Sequence, residues 1–215
     1  MARVVLTRPA GQERELAGRL AQLGHDVVSC PLIRVEPLAD DPIDASRYDW
    51  LVVTSRNGAA EVARRLARRP RRIAAIGPGT AEALSAAGLP ADLVAAESTQ
   101  EGLAAELPNP PGRVLLAAAE GARGYLAAAV GADFVPLYRT VELRPPEPPA
   151  GELVVLASAS AARAFGALRS DLPAVSIGPQ TTRAAREAGV RVVAEATRHD
   201  LEGLVGAVVE ATRRL

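Results

Sequence analysis

Five short segments of this chain combine hydroxyls, glycine, proline and arginine in a pattern suited to holding anions. They are Thr7-Arg8-Pro9, Thr54-Ser55-Arg56-Asn57, Gly77-Pro78-Gly79-Thr80, Ser158-Ala159-Ser160 and Gly178-Pro179-Gln180-Thr181. Each follows a short apolar run and precedes a stretch rich in Ala, Leu, Glu and Arg, which places it at a strand-to-helix turn. There the first backbone N–H groups of a helix lack intrahelical partners, and the helix dipole favours negative charge. Ser, Thr and Asn are also good N-caps, so capping alone accounts for any one of these turns. Several of them on one edge of a sheet call for a ligand. The guanidinium forks of Arg8 and Arg56 match carboxylates. The chemistry expected is therefore the grip of a small polyanion, largely by main-chain donors. Gly77-Pro78-Gly79 is not a dinucleotide fingerprint, because Glu82 stands where the third glycine belongs.

Several other chemistries are excluded. All 25 basic residues are Arg, so neither a Schiff-base lysine nor a P-loop lysine exists. Cys30 is the single cysteine and permits no internal disulfide or multi-cysteine metal site; it reads as a small buried apolar residue. His25 and His199 are far apart in sequence and read as surface residues. With 25 acidic residues the net charge is zero, which argues against general nucleic-acid or membrane-surface binding. No apolar run is long enough to span a membrane and no signal peptide is visible, so a cytoplasmic protein is expected, most simply a monomer. No metal site or cofactor is expected. Any substrate must then bring much of its own reactivity, with the protein supplying orientation and electrostatics.

The elements that carry these turns occur twice. Ile73-Ala-Ala-Ile-Gly-Pro-Gly-Thr80 returns as Ala174-Val-Ser-Ile-Gly-Pro-Gln-Thr181, and Gly88 and Gly189, like Gly102 and Gly203, differ by the same 101 positions as Gly77 and Gly178. Leu51-Val-Val-Thr-Ser55 resembles Val154-Val-Leu-Ala-Ser158, and Arg3-Val-Val-Leu-Thr7 resembles Arg113-Val-Leu-Leu-Ala117. Three units, A (3–30), B (50–68) and C (73–107), thus recur as A′ (113–135), B′ (152–169) and C′ (174–210). Apolar runs at 4–6, 51–53, 73–76, 114–116, 153–156 and 175–177 read as buried strands, each followed by a helix, with Gly24, Gly88, Gly131 and Gly189 as left-handed stops. Strict alternation implies parallel sheets with helices on both faces. The expected fold is α/β: two flavodoxin-like parallel-sheet domains joined by a two-stranded antiparallel linker. Domain 1 takes residues 1–33 and 146–215, domain 2 takes 40–135, and 31–38 and 136–145 form the linker strands, with a ligand cleft between the lobes. The proline-rich 144–149 segment fits the second crossing. A simpler cut near residue 110, at Pro108-Asn-Pro-Pro111, is the alternative.

Val4-Val-Leu-Thr-Arg-Pro9, Tyr48-Asp-Trp-Leu-Val-Val-Thr-Ser55, Ile76-Gly-Pro-Gly-Thr80, Leu137-Tyr-Arg-Thr140, Ile177-Gly-Pro-Gln-Thr181 and Leu201-Glu-Gly-Leu204 together resemble the uroporphyrinogen-III synthase family. The resemblance runs in order over essentially the whole chain. It implies a hydro-lyase that cyclises hydroxymethylbilane to uroporphyrinogen III with inversion of ring D, in tetrapyrrole biosynthesis and without a cofactor. The substrate would sit in the interdomain cleft, and transient contact with hydroxymethylbilane synthase would follow. It also implies that Tyr138, the family's linker tyrosine, assists departure of the substrate hydroxyl. The expected substrate-binding set is Thr7, Arg8, Pro9, Ser55, Arg56, Asn57, Gly77, Pro78, Thr80, Arg123, Ser158, Ser160, Gly178, Pro179, Gln180 and Thr181. Where the family often carries Arg-Gly-Glu, this chain has Ala118-Ala119-Glu120. The other reading is a non-catalytic two-lobe tetrapyrrole-binding or regulatory paralogue.

Overall fold

A computed structural model describes residues 1–147, 149–168 and 171–214. The chain forms two compact units, one of residues 1–34 with 140–215 and one of residues 35–139. Pro148, within the proline-rich segment, lies outside the described residues.

In chain order unit 1 opens with β1 (Arg3–Leu6), α1 (Arg14–Gln22) and β2 (Asp26–Ser29). The chain leaves it within β3 (Ile33–Pro37). Unit 2 follows with β4 (Ile43–Asp44), β5 (Trp50–Val53), α2 (Arg56–Arg65), β6 (Leu66–Arg68), β7 (Arg72–Ala75) and α3 (Pro78–Ala86). It continues through β8 (Leu93–Val94), α4 (Gln100–Glu106), β9 (Val114–Ala119) and α5 (Tyr125–Val130) to β10 (Asp133–Glu142). Unit 1 is then completed by β11 (Leu153–Leu156), α6 (Ala159–Ala167), β12 (Ala174–Ser176), α7 (Pro179–Glu187), β13 (Val192–Glu195) and α8 (Leu201–Thr212).

The sheet of unit 1 runs β13-β12-β11-β1-β2, and every neighbouring pair is parallel. Counted along the chain this is the order 2-1-3-4-5 of flavodoxin-like sheets, which reverses between β1 and β11. In unit 2 the order is β3-β10-β9-β5-β7-β8. With β9 and β10 counted first, its parallel strands repeat 2-1-3-4-5, with the reversal between β9 and β5. Each unit is thus assembled from one A, one B and one C segment, but the A segments are exchanged between the halves of the chain. β3 runs antiparallel to β10: Leu38 N–H donates to Leu137 O at 3.1 Å, and Leu143 N–H to Leu32 O at 2.8 Å.

Strand residues point alternately to opposite faces, and here both faces are buried. In unit 1, Val4, Leu6, Leu153 and Val155 pack with Leu16, Leu20, Leu204 and Val208 of α1 and α8. Val5, Val154 and Leu156 pack with Phe165 and Ala185 of α6 and α7 on the other face. In unit 2, Leu51, Val53 and Ala75 meet Val62 and Leu84 of α2 and α3, while Trp50 and Val52 meet Leu103 and Leu126 of α4 and α5. Gly24, Gly88, Gly131 and Gly189 all take positive φ, from 63° to 83°, as expected of helix stops.

Three features differ from the sequence reading. Residues 136–142 do not form a separate linker strand; β10 starts at Asp133 as a core strand paired with β9 and runs on to Glu142. Pro136 is accommodated because the register with β9 shifts between Pro136 and Tyr138, a bulge that relieves the missing N–H. A small parallel pair, β4 with β6, was not expected. Cys30 is half-buried rather than buried, and His25 is likewise partly buried, with Nδ1 enclosed.

Candidate functional site

Parallel pairing brings the carboxyl ends of neighbouring strands to one edge of each sheet, and with them the polar turns. In unit 1, the Thr7 turn follows β1, the Ser158 turn follows β11 and the Gly178 turn follows β12, three adjacent strands. The first two flank the point where strand order reverses, which is where open α/β sheets hold their ligands. In unit 2 the corresponding reversal lies between β9 and β5, and the turn there is Thr54–Asn57, with the Gly77 turn on the next strand, β7.

Four of the five turns are built as helix caps, whereas the Thr7 turn lies several residues ahead of α1, whose N-cap is Glu13. Ser55 Oγ accepts from Gly58 N at 2.9 Å and Ser158 Oγ from Ala161 N at 3.1 Å. Gly77 and Gly178 occupy the N-cap position of α3 and α7 in extended conformation, followed by Pro78 and Pro179 at the first helical position. Side chains crowd both glycines. A Cβ on Gly77 would sit 2.2 Å from Ser98 Oγ, and one on Gly178 would sit 2.7 Å from His199 Cδ2. Ser98 and His199 are 101 positions apart, the same offset as the two glycines, so each unit covers its glycine turn with a polar side chain. The sequence reading missed this pair. The signal was present in the offset, but Ser and His are dissimilar enough to hide it.

The expected site residues divide by what they contact. Thr7 is fully buried and donates its hydroxyl to Val155 O at 2.8 Å, so this side chain ties β1 to β11. Thr80 and Thr181 are also buried, 5% and 4% exposed, under their turns. Arg8 and Pro9 are half-buried beyond β1. Arg56 bridges two turns of unit 2, donating from Nε to Gly79 O at 3.0 Å and from Nη2 to Glu82 at 2.8 Å. Gln180 is exposed and accepts from Arg183 at 3.1 Å, and Ser160 is half-buried on α6. Arg123 lies outside this turn cluster, forked onto Glu101 at 2.7 and 2.9 Å. Ala118, at the position of the family's usual arginine, is buried in the core beneath α4 and α5.

A polar cluster lies at the strand reversal of unit 2. The bulge after Pro136 sets Tyr138 opposite Ala119, at the carboxyl end of β9. Its hydroxyl lies 2.9 Å from Ser55 Oγ and also hydrogen-bonds the Asn57 side chain. Tyr138 is 6% exposed, and burial pushes its phenol above the ordinary value, against the opposing pull of Ser55 and Asn57. The phenol thus remains an O–H donor throughout the neutral range.

Unit 1 carries a different buried polar chain. Ser176 Oγ bonds Thr182 Oγ1, which in turn donates to a Glu195 carboxylate oxygen. At the equivalent places, 101 positions earlier, unit 2 has Ala75, Ala81 and Val94. Among the described residues no cluster of His, Cys, Asp and Glu could hold a metal ion, and no helix is long and apolar enough to cross a membrane.

The family model for uroporphyrinogen-III synthase HemD matches residues 14–206 of this chain. The chain belongs to the uroporphyrinogen-III synthase family. A uroporphyrinogen-III synthase of Synechococcus elongatus is 29% identical over 252 aligned positions, covering 98% of this chain and 96% of that protein. A mutant uroporphyrinogen III synthase of the extremely thermophilic bacterium Thermus thermophilus is similar in fold at a TM-score of 0.65, with 17% identity and full coverage of both chains. The wild-type enzyme of the same bacterium matches at 0.50 and 18%, covering 100% of this chain and 99% of that one. Enzymes of this family cyclise hydroxymethylbilane in tetrapyrrole biosynthesis. The two flavodoxin-order sheets described above are the fold that the resemblance implied.

Proposed function

We propose that this protein is a cytoplasmic uroporphyrinogen-III synthase that converts hydroxymethylbilane to uroporphyrinogen III with inversion of ring D, the polar turns of both units sharing the one substrate. The observation that carries this reading is the Tyr138–Ser55–Asn57 cluster at the strand reversal of unit 2 in a chain of this family.

A linear tetrapyrrole with eight carboxylates needs many donors and no cofactor. Capped helix N-termini on neighbouring strands supply them: Ser55 and Gly77 in unit 2, Ser158 and Gly178 in unit 1. Arg8 and Arg56 add charge at the same edges. Tyr138 hydrogen-bonds the leaving hydroxyl. The C–O bond breaks toward water as the pyrrole nitrogen supplies its electron pair, and loss of the pyrrole N–H proton leaves the azafulvene. The substituted carbon of ring D then attacks that methylene carbon to give a spiro-pyrrolenine, which opens and recloses at the other position. Without the protein the uninverted isomer forms, so catalysis here is chiefly imposed geometry with electrostatic support.

The test couples the purified protein to hydroxymethylbilane synthase and separates the oxidised porphyrin isomers by chromatography. Isomer III as the main product is expected. Isomer I alone, at the rate of the reaction without this protein, refutes the proposal.

A further inference from the structure

Arg56 lies across the glycine turn of unit 2 in a way that has no counterpart in unit 1. It is the first residue of α2, after the N-cap Ser55, and its guanidinium rests on Gly79 in the first turn of α3. A Cβ on Gly79 would lie 2.9 Å from Arg56 Nε, 3.2 Å from Nη2 and 3.4 Å from Cζ, so this glycine makes the room that the planar group occupies. The equivalent places in unit 1 are the first helical residue after the N-cap Ser158 and the second after the N-cap Gly178, and they hold Ala159 and Gln180. Arginine goes with glycine, and alanine with glutamine. The same comparison sets Glu82 of α3 against Arg183 of α7. The fold accepts either charge there, so the architecture does not require Glu82. Arg56 also uses only part of its donor capacity. Nε donates to Gly79 O at 3.0 Å and Nη2 to Glu82 Oε2 at 2.8 Å; among the described residues the guanidinium has no other hydrogen-bond partner. The carbonyl fixes the group on the turn. Glu82 holds it by one oxygen of a side chain that is 70% exposed, a contact that can open to water at little cost.

We propose that Glu82 holds the place of a substrate carboxylate: Arg56, seated on Gly79, is the carboxylate receptor of unit 2, and Glu82 occupies it in the free protein until a substrate carboxylate displaces it. The inference rests on the reading of the polar turns as the grip on a polycarboxylate tetrapyrrole. It makes Glu82 a determinant of affinity that acts against binding without touching the substrate. Arg56 keeps its bond to Gly79 O through the exchange. Its remaining N–H groups stay aimed while the carboxylate partner changes, and the fork geometry suits the incoming group as well as the departing one.

Glu82→Gln, measured in the parent chain and again in Arg56→Gln, decides it by sign. Two readouts serve: KM and kcat with hydroxymethylbilane supplied directly, and the dissociation constant of uroporphyrin III, the air-stable oxidised form of the expected product. In the parent chain Glu82→Gln should lower KM and the dissociation constant about two- to fivefold, the strength of an exposed ion pair, with kcat within about twofold. In the Arg56→Gln background the same change should alter neither by more than about 1.5-fold, because no receptor is left to unmask. A gain that persists without Arg56 means that Glu82 only repels a nearby anion. An unchanged or weaker affinity means that Glu82 orients Arg56 or lies outside the site. Either result overturns the proposal, as does a parent chain and Glu82→Gln variant that both fail to bind uroporphyrin III. The titration needs no turnover, so it reads the exchange at Arg56 even in a chain that forms no isomer III. Isomer III from the parent chain, with no effect of Glu82→Gln, refutes the exchange and leaves the function standing.

Discussion

Replacing the buried hydroxyls of unit 1 by the residues unit 2 already uses should cost less than the two single replacements added together. Ser176 is fully buried and Thr182 is 6% exposed, and their hydroxyls bond each other before the chain ends on Glu195. Thr182→Val keeps the shape but leaves Ser176 Oγ with no partner in a dry position. An unsatisfied buried hydroxyl costs about 1–3 kcal/mol, and full burial of Ser176 puts this case near 2 kcal/mol. Ser176→Ala is milder, about 1 kcal/mol, because Thr182 still donates to Glu195. If the two changes were independent, the double variant would lose about 3 kcal/mol. The expected loss is instead between about 1 and 2 kcal/mol, since no buried hydroxyl is then left behind and the exposed Glu195 can turn to water. Unit 2 sets the precedent, with Ala75, Ala81 and Val94 at the same places. Unfolding of a two-unit chain is poorly described by one midpoint. Native-state hydrogen exchange of the Val175 amide, in β12, reads the opening energy of unit 1 directly. Additive losses in the double variant would refute the reasoning, because they would mean that the two hydroxyls do not satisfy each other.

Gly203→Ala should destabilise unit 1 more than Gly102→Ala does unit 2. The new Cβ would lie 1.9 Å from Arg198 O in the first case and 2.6 Å from Glu97 O in the second; exchange at core amides should show a loss of about 1–3 kcal/mol or more for Gly203→Ala. The raised phenol of Tyr138 contributes stability that is fully present below the unfolded value of about pH 10 and is lost as pH climbs through the higher folded value. Denaturant titrations above pH 10 should therefore fall more steeply for the parent chain than for Tyr138→Phe. In the coupled assay Tyr138→Phe should lower the rate by less than about 100-fold, the lower bound for loss of a general acid or base; abolition in a folded variant would make Tyr138 indispensable. Gly178→Val and Thr80→Pro should impair activity more than Ser158→Ala or Thr181→Ala, because they displace a whole turn of donors; the same assay ranks them.

The fold was legible where residues repeat or alternate. The β-branched runs at Val4, Leu51 and Val154 are buried on both sides, which is why they read as continuous apolar segments. β4 escaped notice because two residues, Ile43 and Asp44, carry no periodicity, and β6 because Leu66–Arg68 sits in an arginine-rich stretch that resembles a solvated helix. Pro136 read as the start of a new strand, since local sequence does not reveal that a bulge will absorb it. The candidate site was legible as turns but not as contacts. Thr7 has the residue type of an anion binder, yet its hydroxyl bonds a strand 148 positions away. The meeting of Ser55 with Tyr138, 83 positions apart, depends on strand order and on the bulge. Neither can be read from spacing.

Exchange of the A segments gives synthesis an unequal schedule. Val4 finds its partner Leu153 only after a further 149 residues have been made, since 153 − 4 = 149. At about 5–20 residues per second the ribosome leaves β1 and α1 without one side of their sheet for roughly 7–30 s. Unit 2 is a single continuous stretch, 35–139, and can close as soon as β10 emerges. The middle of the gene therefore matures before its beginning. Until β11 is made, the apolar edge of β1 is exposed to chaperones and to neighbouring nascent chains. Substitutions that weaken β11 or β12 should then appear first as low yield of protein, before any change in the enzyme that survives.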